Sequence, residues 1–545
     1  MTKNFRQDIA TEATKRKLAG CVTVPRAKTF GFRYVQCEKC EIGEKREQKI
    51  VRMQRQPGAQ RSGATSRVQA RNAGALPLRL FAPQCTGYLR LHPTALAGAT
   101  ASVSLRSRLR LNCCSVYHTI EKSVLGETSM RHKNKQGISY SVFPFGSSRQ
   151  MLLVGEPAEH YTCQNDVQGQ GQTVPDYPRQ IRSLLEQCRD VCEKEGFAEN
   201  MTVMCHFFIA NIGMQELVRQ LALEIFPETI FGACTIVPQA PASGAVIALE
   251  LWVVNGNRSL YEPAMPGEAA LAEFDDMRWF FGGGYRPETY LVGAYDRSLD
   301  AFDCLAAELI LREFKLNQIL RTWIYQGHLV LPEGETQRYK ELNRARTDVF
   351  GKTQFLKKYL PKTFQGTVYP ASTGIGADDV DVVISAIALD TKRKDVIVVP
   401  LENPNQTSAF DYGAAYSPQS PKFSRAMAVA VAGECIIFVS GTASIIDSES
   451  QHIEDPTKQT EQTLDNIAAL IAGENLDRHG IADIACGLGN LECVRVYVKR
   501  PSELALIRQV CERRLPEIPI LYTIADVCRP ELLVEIEGIA LARRE

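Results

Sequence analysis

One order of elements is written three times along this chain: a helix, a strand with a central aromatic residue, a second helix, then further strands. The third copy runs from EQTLDNIAALI (461–471) through ECVRVYVKR (492–500) and ELALIRQVCERRLP (503–516) to ADVCRPELLVEIEGIA (525–540). The second runs from AFDCLAAELIL (301–311) through QILRTWIYQG (318–327) and TQRYKELNRARTDVF (336–350) to YPASTGIGADDVDVVISAIAL (369–389). The first runs from RQIRSLLEQCRDVC (179–192) through MTVMCHFFIAN (201–211) and MQELVRQLALEIFP (214–227) to GAVIALELWVV (244–254). Such a unit leaves one face open and needs neighbours to bury it, so the repetition limits the fold more than any single motif does. The expected fold class is α+β, with three tandem units around a pseudo-threefold axis, helices outside and sheets facing inward.

The units are expected at 130–256, 257–390 and 391–545, after an extension of 1–129. The third is entered by a loop rich in Pro, Ser and Asn (401–426), as a connection that needs turns should be. In it, AMAVAVAGECIIFVSGTASI reads as a hairpin turning at Gly433 and Glu434. SVFPFGSSRQMLLVGEPA is its parallel in the first unit, and EFDDMRWFFGGGYRP its weaker parallel in the second. With 545 residues and 45% hydrophobic side chains, packed cores are within reach.

The net charge of +1 hides an asymmetry. Between Gln48 and Ile120 there is no Asp or Glu, while Arg recurs from Arg52 to Arg110. That stretch has no hydrophobic period with which to form a core, and the reading favoured is a start codon placed too early, the true start lying near Met130. The alternatives are a nucleic-acid arm or a targeting segment. Seventeen Cys lack a disulfide-scaffold spacing, and Cys37 and Cys40 form a lone CxxC with no second pair. The expectation is reduced thiols in a cytoplasmic protein with no membrane span, no nucleic-acid partner, no metal and no cofactor.

Side chains alternate along a strand. Val494, Val496 and Val498 therefore share one face, expected under the unit's own helices, and Arg495 and Tyr497 share the other. Matching CVRVYVK to ILRTWIY sets Arg321 beside Arg495 and Trp323 beside Tyr497, with His206 and Phe208 as their counterparts in the first unit. Large cations and aromatics on a sheet face meet solvent or line a junction between units, and three units in one chain favour the junction. On the last strand Glu535 and Glu537 share the face opposite Val534 and Ile536. A solvated carboxylate is the commoner fate of Glu; at a junction, burial would raise the carboxyl pKa and suit it to general-acid work.

SGTASI followed by EQTLDNI, VRVYVKRPSE and VEIEGIA resembles the YjgF-type reactive-intermediate deaminase superfamily, homotrimers of a chorismate-mutase-like unit with ligand sites between subunits. The chain then looks like such a trimer fused into one polypeptide. Within the superfamily, RYKELNRART, YPASTGIGA, ENPNQTSAF, SPKFSRA, FVSGTAS, EQTLDNI and ADVCRPELLVEIEGIA, in this order, resemble the chorismatases, which release the enolpyruvyl group of chorismate as pyruvate. The resemblance covers most of 338–540; the first unit matches less distinctively.

The resemblance implies a small carboxylated substrate, chorismate or similar, and no cofactor. It makes Glu535, seven residues after Cys528, the general acid, and it puts Gly441 and Cys528 against the substrate ring, a combination like that of the 3-hydroxybenzoate-forming branch. By their residue types alone, Gly441 is a turn residue and Cys528 an inert buried thiol. A dianion needs cationic partners, and Arg grips a carboxylate in a planar, bidentate way. The candidates are Arg495, Arg321, Arg425, Arg346 and Arg529, each equally readable as a structural ion pair. Tyr522 is expected where the deaminases carry their substrate-binding Arg, with Thr373 in that place in the second unit; the missing Arg disfavours imine hydrolysis. TGIG (373–376) lacks the ending of a phosphate loop, and Gly374 with Gly376 is read as a pair admitting close backbone approach to the ligand. Glu537 completes the expected binding set. The assembly is expected to be a monomer or low-order homo-oligomer. The alternative is a non-catalytic or imine-deaminase-type binder of the same fold.

Overall fold

In each copy the fourth and fifth strands run parallel, and a parallel pair needs a long crossover, which the second helix of the repeat supplies. The computed structural model describes residues 129–133, 137–165, 172–197, 201–226, 232–261, 267–379, 381–413 and 418–544. The basic stretch and the Cys37–Cys40 pair lie outside them, and so does the expectation of an early start codon.

The first sheet is drawn from β1 (Met130–Lys133), β2 (Ile138–Phe145), β3 (Ser148–Gly155), β6 (Thr202–Ile209), β7 (Ala233–Val237) and β8 (Ile247–Val254), with a ribbon of β4 (Thr162–Asn165) and β5 (Gln172–Pro175). The second is drawn from β9 (Asn257–Tyr261), β10 (Glu268–Phe274), β11 (Met277–Tyr285), β12 (Ile319–Gly327), β15 (Ala371–Ala377) and β16 (Val382–Thr391), with a ribbon of β13 (Pro332–Glu333) and β14 (Thr336–Gln337). The third is drawn from β17 (Ile397–Leu401), β18 (Ala426–Val431), β19 (Glu434–Thr442), β22 (Leu491–Val498), β23 (Ile520–Ile524) and β24 (Val534–Arg543), with a ribbon of β20 (Ile445–Ile446) and β21 (Glu449–Ser450). Each six-stranded sheet has one order, shown by β1-β2-β3-β8-β6-β7, and only the last pair is parallel. The helices are α1 (Tyr177–Lys194), α2 (Gln215–Ile225), α3 (Ala294–Leu311), α4 (Arg338–Phe350), α5 (Pro456–Ile471), α6 (Gly473–Arg478) and α7 (Leu504–Arg514).

Local chemistry explains the ends. Asp176 caps α1 by accepting from Arg179 N (3.1 Å), and Asp455 caps α5 by accepting from Lys458 N (2.9 Å), each with Pro just inside the helix. The hairpin between β18 and β19 turns at Ala432 and Gly433, both at positive φ (52° and 83°), one residue before the expected place. Positive φ at both central residues is what a tight hairpin requires.

The alternation falls as expected. Val494, Val496, Val498, Val534 and Ile536 meet Leu464, Ile467 and Ile507 of α5 and α7 in an outer core. Cys493 and Tyr497 face a central core shared with Phe208, Trp323 and Tyr325. In this core the sheets meet in a ring: β7 lies against β11, β15 against β19, and β23 against β3. At its centre Arg495 grips Glu250 with Nε (2.8 Å) and one terminal nitrogen (2.6 Å), and gives the other to Glu537 (2.9 Å) and the Tyr325 hydroxyl (2.7 Å). His206 Nδ1 lies 3.2 Å from that guanidinium.

The register corrects one expected equivalence. A bulge opens each central strand, pairing Met204 with Trp252, Arg321 with Ile387 and Cys493 with Ile539. Arg321 is thus the counterpart of Cys493, while Arg495 matches Trp323 and His206, and Tyr497 matches Tyr325 and Phe208. The match made from sequence was out by two residues, a slip that keeps every side chain on its face and so leaves no trace in the hydrophobic pattern. Among the described residues, no helix is long and apolar enough to cross a membrane.

Candidate functional site

The contact of β15 with β19 is where chemistry gathers. Strand β19 bulges at Ser440 and Gly441, between its pairings of Val439 with Gly538 and of Thr442 with Ile536. Ser440 Oγ accepts from Ser372 N (2.9 Å) and Thr373 Oγ1 accepts from Gly441 N (2.9 Å), which fastens the bulge to the second sheet. The Glu535 carboxyl lies over Gly441 so closely that a β-carbon there would overlap its Oε1 and come within 2.9 Å of its Cδ. Glycine is needed here for space.

A cavity of about 530 Å³ opens from this point. Its floor is Gly374, Ser372, Gly441 and Glu535; one wall is Tyr339, Lys340 and Asn343 of α4. The loop into the third unit adds Tyr412, Phe423 and Arg425, and the turn before β24 adds Cys528, Arg529 and Glu531. Ala443 and Ile445 close the far side.

Glu535 is 4% exposed. Burial and the nearby Glu537 carboxylate push its pKa up to about 8, against the pull of Arg321 and Arg425. The Cys528 thiol is pushed up to about 12, first by burial and then by Glu535. At neutral pH the cavity therefore holds a protonated carboxyl beside a protonated thiol, opposite Arg425, Arg529 and Lys340. Arg425 donates to the Tyr412 hydroxyl (2.5 Å) and the Thr407 carbonyl (3.1 Å), and its Nε has no partner among the described residues. Arg529 donates to the Ser448 carbonyl (2.9 Å) and Ser450 Oγ (3.1 Å). Glu402, which accepts from Arg425 N, is pushed up to about 7 by burial.

Of the residues singled out from sequence, Glu535, Cys528, Gly441, Gly374, Arg425 and Arg529 line the cavity together. The others stand elsewhere. Arg495 is occupied by Glu250 and Glu537 at the centre, with no donor aimed at the cavity. Arg321 donates to Thr373 Oγ1 (2.6 Å) and Glu537. Glu537 accepts from Arg321, Arg495, Trp323, Tyr497 and Thr373, so it anchors the buried ion pairs. Thr373 is that network's link to the bulge. Arg346 sits behind the wall, donating to Asn343 Oδ1 (2.5 Å) and Ser372 Oγ (3.3 Å).

Tyr522 departs from expectation in direction. It pairs with Val496 and lies in the outer core beneath Arg508, whereas Leu521, opposite Arg495, is the counterpart of Thr373, opposite Trp323. A shift of one residue turned it to the other face. Gly376 serves packing between the second and third sheets, since a β-carbon there would meet the Asp526 backbone.

From the helix at 336–350 the sequence singles out only Arg346, so Tyr339, Lys340 and Asn343 are additions that the structure makes to the site. A signal was present: Tyr339, Asn343 and Arg346 recur at helical spacing, a polar stripe that α4 turns inward, leaving Asn343 and Arg346 buried.

No protein-family model matches the chain. It is 33% identical over 274 residues to a 3-hydroxybenzoate synthase of Streptomyces hygroscopicus, covering 49% of this chain and 75% of that protein. A chorismatase of Streptomyces rapamycinicus is 32% identical over 227 residues, 41% of this chain and 63% of the relative. A chorismatase of Streptomyces hygroscopicus is 36% identical over 173 residues, 31% of this chain and 48% of the relative. Among solved structures, a chorismatase crystal structure aligns with 62% of this chain and 93% of its own, at 22% identity and a TM-score of 0.49.

Proposed function

This chain belongs to the chorismatase family, and we propose that it removes the enolpyruvyl group of chorismate as pyruvate, with Glu535 as the general acid. The observation that carries this reading is a buried carboxyl whose pKa is pushed up to about 8, on the floor of a cavity that also holds Arg425, Arg529 and Lys340. An acid of that pKa keeps its proton at neutral pH and still gives it up readily to an enol ether. The cations suit a dianion, and among the described residues Arg425 Nε has no partner beside its Tyr412 bond.

Glu535 protonates the enolpyruvyl methylene, and the resulting oxocarbenium-like centre makes pyruvate a leaving group. The favoured product is 3-hydroxybenzoate: the substrate's own hydroxyl displaces the leaving group, giving an arene-oxide-like intermediate that rearomatises, and atoms balance without water or a co-reactant. Cys528 and Gly441 support this branch by resemblance. The raised thiol pKa suits Cys528 to a neutral proton-donating role rather than a nucleophilic one.

The three sheets are read as three YjgF-like units at 130–256, 257–390 and 391–545, a trimer fused in one chain, the first unit structural. The common strand order and the ring of contacts support this. A ring closed within one chain fits a monomer or low-order homo-oligomer. The free thiols among the described residues fit a cytoplasmic protein.

The test is purified protein with chorismate, products separated by chromatography. Pyruvate with 3-hydroxybenzoate is expected. Pyruvate with a dihydroxycyclohexadiene carboxylate would move the chain to the hydrolytic branch, and no pyruvate above the uncatalysed rate would leave a binder of the same fold.

A further inference from the structure

Thr373 is not among the residues lining the cavity described above, yet its hydroxyl is a three-way hub. It accepts from Arg321 (2.6 Å) on its own sheet and from the Gly441 amide (2.9 Å) of the bulge, and it donates to Glu537 on the third sheet. Its Cγ2 lies 3.1 Å from where a β-carbon of Gly441 would stand, so hydroxyl and methyl both bear on the bulge. The bulge in turn is the surface on which the Glu535 carboxyl rests. A rigid connection therefore runs from the buried ion pairs at the centre, through one hydroxyl, to the seat of the acid.

We propose that Thr373 is a positioning residue for Glu535: by tying the Gly441 bulge to the Arg321–Glu537 pair, it holds the acid against the cavity floor and out of water. This rests on the reading of Glu535 as the general acid. Thr373 acts through Gly441 and does not touch the substrate.

The molecule carries its own control. Thr235 is the counterpart of Thr373 on β7; it accepts from the Gly284 amide (3.1 Å) of the β11 bulge and shares a hydrogen bond with Ser385 Oγ (2.7 Å), the counterpart of Glu537. The threonine-to-bulge hydrogen bond is the same, although Gly284 has φ of +72° and Gly441 has no positive φ, and Val383 stands where Glu535 would be, so this hub has no acid to seat.

The experiment compares Thr373→Val, which keeps shape and deletes the hydroxyl, with Thr373→Ser, which keeps the hydroxyl, and with Thr235→Val. Two readouts are taken: kcat and KM for chorismate against pH, and the infrared carboxyl band of Glu535, identified by its loss in Glu535→Gln and titrated without substrate. Thr373→Val is expected to lower kcat by about 10-fold to 100-fold, the scale of a misplaced catalytic group, with KM unchanged. Its Glu535 midpoint should fall from about 8 toward the ordinary carboxyl range, because a loosened bulge admits water. Thr373→Ser should restore both, and Thr235→Val should change neither. Thr373→Ala carries the same expectation should the valine variant not fold. The proposal is overturned if Thr373→Val keeps both kcat and the carboxyl midpoint, if Thr373→Ser is equally impaired, if KM rises while kcat holds, or if Thr235→Val has the same effect. Absence of turnover in the unmodified protein would defeat the functional reading alone, since the carboxyl titration still reports on the hub.

Discussion

Two contacts in the ring, β7 on β11 and β15 on β19, share one plan and end in opposite states. Both place a threonine of the parallel edge strand against a bulge glycine of the next sheet, Thr235 on Gly284 and Thr373 on Gly441. At the first, Ile236 stands where Gly374 stands at the second, Arg286 where Ala443 stands, and Val383 where Glu535 stands. Arg286 crosses the contact to donate to the Ile236 carbonyl (2.7 Å) and pairs with Asp381 (3.5 Å). Gly374 and Ala443, with no such side chains, line the cavity. A site in this fold needs room as much as an acid, and two small residues make the room. At the third contact, β23 on β3, neither device is present: Leu521 replaces the threonine, and β3 pairs with β8 without a bulge.

The largest effect that can test this contrast is removal of the acid. Glu535→Gln keeps the shape and removes the acidic proton, and turnover should fall by roughly two to four orders of magnitude with substrate affinity held or improved. The unmodified protein should be active while the carboxyl is protonated and lose turnover as pH rises through about 8, the folded pKa. The glutamine variant should lack that alkaline limb. Full turnover in Glu535→Gln would mean that the proton comes from elsewhere. Val383→Ala, the matched change at the closed contact, should leave turnover alone.

Filling comes next. Ala443→Arg copies the closed contact into the open one, and an arginine there should cross toward the Gly374 backbone as Arg286 does toward Ile236. KM is expected to rise by about 100-fold or more, the loss of a few kcal/mol of binding, with thermal stability retained. An unchanged KM would show that the cavity is not where substrate sits.

The paired bulge glycines separate function from strain. Gly284 has φ of +72°, and a β-carbon there would come 2.8 Å from the Cys234 carbonyl oxygen. Gly284→Ala should therefore cost about 1–2 kcal/mol of stability, read by denaturant unfolding, and leave turnover unchanged. Gly441 has no positive φ, and its constraint is the Glu535 carboxyl. Gly441→Ala should keep stability while the displaced acid lowers turnover by about 10-fold. The reverse pattern would break the comparison.

The repeated order of elements and the inward sheet face were legible in local pattern, whereas Glu535, Cys528, Gly441 and Arg425 were named chiefly through the resemblance, and the structure brings these four to one cavity. What escaped was register. The bulges that pair Arg321 with Ile387 and Cys493 with Ile539 shift equivalence by two residues without moving any side chain to another face, so no hydrophobic count detects them. Arg495 and Arg321 were sought at the substrate for the same reason: alternation assigns a face, and a face contains both the buried ion pairs and the cavity. Only the pairing of sheets separates the two. The α4 wall was hidden differently, since Tyr339 and Asn343 look like a solvated helix until a second unit covers them.

The smallest expected effect concerns the first sheet's share of the centre. His206 is fully buried at the position that carries Trp323 and Arg495 in the other two sheets, with Nδ1 facing the Arg495 guanidinium. Burial first, then the charges of Arg495 and Arg321, hold its pKa well below the usual histidine value. The folded state thus keeps a neutral imidazole while the unfolded chain takes up a proton below about pH 6.5. Stability is fully present above that pH and falls as pH drops, by about 1.4 kcal/mol per pH unit from this group. His206→Phe keeps the ring and leaves Arg495 on Glu250 and Glu537, and it should remove that part of the acid slope between pH 6.5 and 5. The alkaline limb of turnover should stay where it is, because it belongs to Glu535 at another contact. An acid slope equal to that of the unmodified protein would mean that His206 is already protonated when folded; the centre would then carry one more positive charge than its carboxylates balance.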